Sequence, residues 1–194
     1  MSTAAIPQPD PANIPPVSRA DGLTPADLIM FERLRIPEEL LVQAHIRRVT
    51  DAEGHELTGR REGNMTGILF DYHDIQTGRV VTRRLRRDHP ELEGGKTINK
   101  YISDYGGRKR LYVVPGAADA LQDKETAIVL VEAEKSALAL TAFARRTGRK
   151  LLVVAMCGCY GWRGRIGKAT TPSGHLVDEK GPSADLRVCD GRTV

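Results

Sequence analysis

Apolar positions follow two regimes along this chain. Between residues 24 and 114 they are short and broken by charge, and between 127 and 156 they form continuous runs around an amphipathic segment. In the first regime, Thr24-Pro25-Ala26-Asp27 reads as a helix start, with Leu28, Ile29, Phe31 and Leu34 as its apolar face. A second short helix follows Pro37, with Leu40, Leu41 and Ala44 turned inward. It runs into Ile46, Val49 and a polar turn at residues 51–54. Residues 67–70 and 79–85 read as the strands of a β-hairpin around the turn Gln76-Thr-Gly78. A loop with Pro90, Gly94 and Gly95 leads to Lys100-Tyr101, and residues 110–114 form a further strand closed by Pro115-Gly116.

In the second regime, residues 127–131 are apolar throughout, as a strand buried on both faces requires. Residues 134–146 predict a helix burying Ala137, Leu138, Leu140, Thr141 and Ala144, with Gly148 as its C-cap. Residues 151–156 predict a second buried strand. Strand, helix and strand make a βαβ unit with parallel strands. The fold class is therefore α/β: a small mixed α+β N-terminal subdomain at 21–120, then a partial parallel βαβ sheet at 121–194. Residues 1–20 are rich in Pro and Ala with almost no large apolar side chain, so a disordered tail is expected there.

Composition narrows the class. The chain has 194 residues, 40% hydrophobic and 28% charged, in keeping with a soluble globule. No apolar stretch is long enough to span a bilayer, and no secretory leader pattern is present. The three cysteines, Cys157, Cys159 and Cys189, are too few and too odd in number for a disulfide framework. A reducing, cytoplasmic location is expected. Net charge is +4 and the isoelectric point is about 9.1, a mild excess whose distribution matters more than its size.

Candidate chemistry gathers at three places. Glu132 directly follows the first buried strand, where open α/β sheets place their sites. A carboxylate there can hold Mg²⁺, act as an acid or base, or simply be a solvated glutamate favoured by the helix dipole. Glu134 is read as such a solvated helix-start residue. After the second strand, Gly158 and Gly161 permit a tight turn; Tyr160 and Trp162 could stack on a base and Arg163 could hold a phosphate, or the aromatic residues could cap the core. A P-loop is excluded by spacing, since Trp162 stands at its first glycine position and Ala169 follows Lys168. Cys157 and Cys159 lack the second pair that a zinc site needs. The third place is basic. Arg79, Arg83, Arg84, Arg86, Arg87, Lys96, Lys100, Arg108, Lys109 and Arg110 interleave with Tyr101, Tyr105 and Tyr112. On a strand, Arg84 and Arg86 share one face, and Arg83 and Arg87 the other. Arginines suit phosphates and aromatic rings suit unstacked bases, so single-stranded nucleic acid is the expected partner; a solvated basic hairpin is the plainer alternative.

These motifs, in this order, resemble the catalytic core of primase-related proteins from phage, plasmids and mobile elements. Ile128-Val-Leu-Val-Glu132-Ala-Glu-Lys135 resembles the first TOPRIM motif, and Met156-Cys-Gly158-Cys-Tyr-Gly161-Trp162 the glycine turn after the second TOPRIM strand. Gly67-Ile-Leu-Phe70, Gly78-Arg79-Val80, Arg86-Arg-Asp88-His-Pro90 and Lys100-Tyr101 follow the order of the preceding subdomain. The resemblance implies nucleotidyl transfer on a single-stranded template with Mg²⁺. It makes Glu132 the metal or acid–base glutamate and Arg86 and Lys100 phosphate contacts. Arg83, Arg84, Arg87, Tyr101, Arg108, Lys109 and Arg163 join the nucleic-acid-binding set, with Gly158, Gly161 and Trp162 as the loop. A nucleotide and replication proteins are further expected partners, and no membrane is. Two departures stand out. Ala133 replaces the glycine after the glutamate, and no Asp-x-Asp follows, although Asp190-Gly-Arg192 resembles the opening of the strand that would carry it. The chain is thus expected to be a fragment or a truncated relative, inactive alone. The alternative function is a non-catalytic single-strand-binding module of a mobile-element replication protein.

Overall fold

A computed structural model describes residues 22–74, 76–105 and 109–192. The expected disordered tail and Arg108 lie outside the described residues. The architecture is mixed α/β with several sheets, one of which combines parallel and antiparallel strands.

Helix α1 (Pro25–Glu32) begins where Thr24 predicts it. The Thr24 hydroxyl accepts from the Asp27 N–H, and the Asp27 carboxylate accepts from the Thr24 N–H, a reciprocal capping box. Helix α2 (Glu38–Gln43) follows Pro37, and β1 (Arg47–Val49) follows α2. The expected polar turn at 51–54 is instead the start of a helix, α3 (Asp51–Thr58). Its signal is a second capping box, Thr50 with Glu53, which outweighs a composition too polar to show an apolar stripe.

Strands β2 (Gly67–His73) and β3 (Val80–Arg87) form the expected hairpin. The region expected to be a loop at 90–100 holds a small hairpin of its own, β4 (Glu91–Glu93) and β5 (Lys96–Ile98), before β6 (Tyr101–Ser103). The first sheet is antiparallel, in the order β1-β2-β3-β6. Strand β7 (Tyr112–Val113) is shorter than the expected 110–114 and joins the second sheet. After a short helix α4 (Ala118–Gln122) come β8 (Ala127–Val131), α5 (Glu134–Thr147) and β9 (Leu151–Ala155). β8 and β9 are parallel, as the βαβ pattern predicts, and the sheet order is β7-β9-β8.

One apolar core ties the two sheets together. Ile68, Phe70 and Tyr72 of β2 pack with Phe31, Leu40 and Leu41 of the entry helices, with Ala137 and Leu138 of α5 and with Val153 of β9. Beyond β9 the chain turns into a second free-standing hairpin, β10 (Arg163–Thr170) and β11 (Leu176–Pro182), which the sequence reading did not anticipate. The residues expected to open a further strand, from Asp190 to Arg192, follow a 3-10 helix (Ala184–Cys189) as a turn.

The entry helix is pinned by charge. Arg48 Nε and Nη2 bond both oxygens of Asp27, at 2.8 and 2.9 Å, and Nη1 reaches Asp88 at 2.5 Å. Burial opposes the Asp27 charge, but the bonds from Arg48 and Thr24 outweigh it and lower its pKa from 3.8 to about 2. A depressed carboxylate stabilises the fold above its unfolded pKa, and that stability is lost as pH falls through the folded one. Asp27→Asn is therefore expected to cost about 2 kcal/mol near neutral pH, with the difference from the parent shrinking between pH ~4 and ~2. Urea titrations of both proteins across that range check it.

Candidate nucleic-acid interface

The hairpin register decides what each arginine of β3 can do. Arg84 pairs across from Phe70, and Arg86 from Ile68, so both share the face that carries the main core. Arg83 and Arg87 project to the opposite face, where Arg83 Nε meets Asp71 at 3.2 Å. The Arg87 guanidinium is 2% exposed and bonds Glu91 at 2.5 Å and the carbonyl oxygens of Asn64 and Asn99. It is engaged within the fold, holding the β4–β5 hairpin against the sheet.

Arg84 meets the first turn of α5. Its Nη1 lies 2.9 Å from Glu134 Oε1, and the Tyr72 hydroxyl donates to the same oxygen at 2.6 Å. Glu134 is 1% exposed, so the expected solvated helix-start glutamate is a buried one. The correction has a simple cause: position N1 of α5 faces β2 and β3, and the strand alternation brings a guanidinium beneath it. The Cys157 thiol completes the network, 2.6 Å from the Tyr72 oxygen. Burial first, and then the nearby Glu134 carboxylate, push its pKa up to about 11. The same two causes push the Tyr112 hydroxyl, fully buried and without a hydrogen-bond partner among the described residues, far above its ordinary range. Tyr112 is thus a core residue, Tyr105 is exposed under Arg60, and Tyr101 is half-buried under Arg84, 4.8 Å from ring to guanidinium.

Two residues along β3, the basic character changes. Arg86 pairs across from Tyr101, next to Lys100, and the charges of Arg86 and Lys100 both act on Lys135 in the first turn of α5. Burial lowers the Lys135 pKa, and the charges of Arg86 and Lys100 lower it further. None of the three has an ion-pair partner among the described residues, and Arg86 Nε is buried with no hydrogen-bond partner there. Lys135 was not singled out from the sequence. The available signal was its place: a lysine in the first turn opposes the helix dipole, and Ala133 at the N-cap offers no side chain to the free N–H groups. The neighbouring Glu134 carboxylate offsets part of this charge at Lys135, and three cations without an ion-pair partner among the described residues, beside an uncapped helix start, form a site suited to an anion.

Glu132 lies at the C-terminal end of β8, three residues before Lys135. It is exposed and makes no side-chain hydrogen bond or ion pair among the described residues. The turn after β9 is tied to it, since Gly158 N–H donates to the Glu132 carbonyl at 2.8 Å. Gly158 has φ +114, and a Cβ on Gly161 would overlap the Met156 carbonyl oxygen, so both glycines are needed for that turn. Trp162 and Arg163 follow it, the guanidinium 5.3 Å from the indole ring, and Lys109 is exposed on the connection into β7.

For a divalent metal, the described residues hold no group of three or more His, Cys, Asp or Glu side chains that could bind one. Glu132 supplies one exposed carboxylate, which does not by itself fit a resident Mg²⁺. No helix among the described residues is long and apolar enough to cross a membrane.

No protein-family model matches the chain, and no curated protein matches it. Among solved structures it is similar to the Aquifex aeolicus primase, in its zinc-binding and RNA polymerase domains. Sequence identity is 16% and the TM-score 0.48, over 68% of this chain and 36% of that one. The chain thus spans about a third of the length of that protein.

Proposed function

We propose that this chain holds single-stranded nucleic acid, and the phosphates of an incoming nucleotide, for primase-like nucleotidyl transfer by the complete protein. The observation that carries the reading is the cluster of Arg86, Lys100 and Lys135: three cations with no ion-pair partner among the described residues, one with an unsatisfied buried N–H, beside the strand end that presents Glu132. Gathering like charges costs free energy, and a bound polyanion offsets that cost. Tyr101, under Arg84 and across from Arg86, offers the cluster an aromatic neighbour for an unstacked base. The motif order gives the reaction class. In it Glu132 acts at the reacting phosphates and the cations position them.

The two parts of the reading separate experimentally. Binding of a labelled oligo-dT by the chain tests the holding role, and it is expected to persist in Glu132→Gln. Primer synthesis on a single-stranded template with Mg²⁺, by the longest protein that carries this sequence, tests the transfer role. There Glu132→Gln is expected to lower activity by about 10²-fold or more. Full activity in Glu132→Gln would remove the assigned role and leave the binding reading standing.

A further inference from the structure

The β10–β11 hairpin pairs with no other strand among the described residues. It is rooted by the Ser183 N–H donating to the Trp162 carbonyl at 2.8 Å. A two-stranded ribbon without a third strand has little stability of its own, so its side chains are chosen largely by what they meet. Its register sorts them. Directly opposed residues of an antiparallel pair point to the same face, and the partners are Arg163 with Pro182, Arg165 with Lys180, and Lys168 with Asp178. A bulge between Arg165 and Gly167 takes up Ile166 and keeps the cations in phase. Arg163, Arg165, Lys168 and Lys180 therefore share one face with a single carboxylate, Asp178, which meets Arg165 at 3.7 Å. The other face is of a different kind. It carries Gly164, Gly167, Ala169, Val177 and Gly181 with one exposed carboxylate, Glu179 opposite Gly167, and a Cβ at Gly181 would come within 2.6 Å of the Ile166 side chain lying across it.

At the root the basic face runs onto aromatic rings. The Arg163 guanidinium lies over the Trp162 ring, and Tyr160 beside it is 77% exposed. Without the bulge, one extra residue in β10 would turn Lys168 to the opposite face from Arg165.

We propose that this hairpin is an arm that grips a single-stranded polynucleotide, its cationic face following the phosphates and Trp162 and Tyr160 stacking on unpaired bases at its root. The charge pattern is that of a polyanion contact, and the exposed rings select unpaired bases over a duplex or an acidic protein surface. The inference rests on the reading that the chain holds single-stranded nucleic acid, and it assigns a second contact to that strand, separate from the Arg86, Lys100 and Lys135 cluster.

Trp162 is the only tryptophan of the chain, so its fluorescence reports on the root of the arm alone. Titration of the full chain with unlabelled oligo-dT is expected to quench that emission along the isotherm given by anisotropy of a labelled oligo-dT. The variant Arg165→Gln, Lys168→Gln, Lys180→Gln changes exposed positions only and is expected to melt like the parent. It is expected to bind about tenfold more weakly, with a shallower salt dependence. Binding with neither quenching nor sensitivity to the triple substitution would overturn the arm and leave the core cluster as the binding site. Equal or tighter binding of a duplex would overturn the single-strand assignment. No binding at all would overturn the arm together with the functional reading.

Discussion

Replacing Glu134 with alanine is expected to cost about 3–5 kcal/mol of stability, enough to unfold a marginal domain. The residue is 1% exposed and carries the charge that compensates the Arg84 guanidinium, itself 17% exposed. Burial works against the Arg84 charge, and the facing Glu134 outweighs it and holds the pKa above its ordinary value. With the carboxylate gone, the guanidinium is left in the core and the Tyr72 hydroxyl loses its acceptor. The double variant Glu134→Leu, Arg84→Met removes both charges and is expected to recover most of the loss. Chemical denaturation of the two single variants and the double gives the coupling directly. Additive effects would mean that the pair is not the join between the first sheet and α5.

The second large effect concerns binding. Arg86→Gln, Lys100→Gln and Lys135→Gln together are expected to weaken oligo-dT binding about 100-fold at moderate salt. The same substitutions are expected to leave stability unchanged or raise it, because they relieve repulsion among cations that lack ion-pair partners in the described structure. That opposition of signs separates a ligand site from a structural one. Anisotropy of a labelled oligo-dT and a thermal melt measure the two halves.

Much of the architecture was legible because it rests on periodicity. The continuous apolar runs at 127–131 and 151–156 and the amphipathic segment between them specified the parallel βαβ unit, and two strands around Gln76-Thr-Gly78 specified the hairpin. Helix α3 and the β10–β11 arm were missed for a common reason. Both are polar, so neither carries an apolar period, and only the Thr50–Glu53 spacing marked the helix. In the site, strand alternation correctly placed Arg84 and Arg86 on one face. It could not say that Arg84 would be neutralised by Glu134 and Arg86 left unpaired, because that depends on where α5 crosses the sheet. The same crossing makes Lys135 a neighbour of residues 49 and 35 positions away. Glu132, the most prominent carboxylate by position, lies exposed at the strand end, and Glu134, read as solvated, is buried.

The central claim is that Arg86, Lys100 and Lys135 contact the phosphates of a single strand. The most direct test is the salt dependence of oligo-dT binding in the parent chain and in the triple variant. Each phosphate contact to a single strand contributes about 0.7 to the slope of log K against log salt concentration. The account predicts that the variant's slope is smaller in magnitude by about 2. Equal slopes in the two proteins would contradict it.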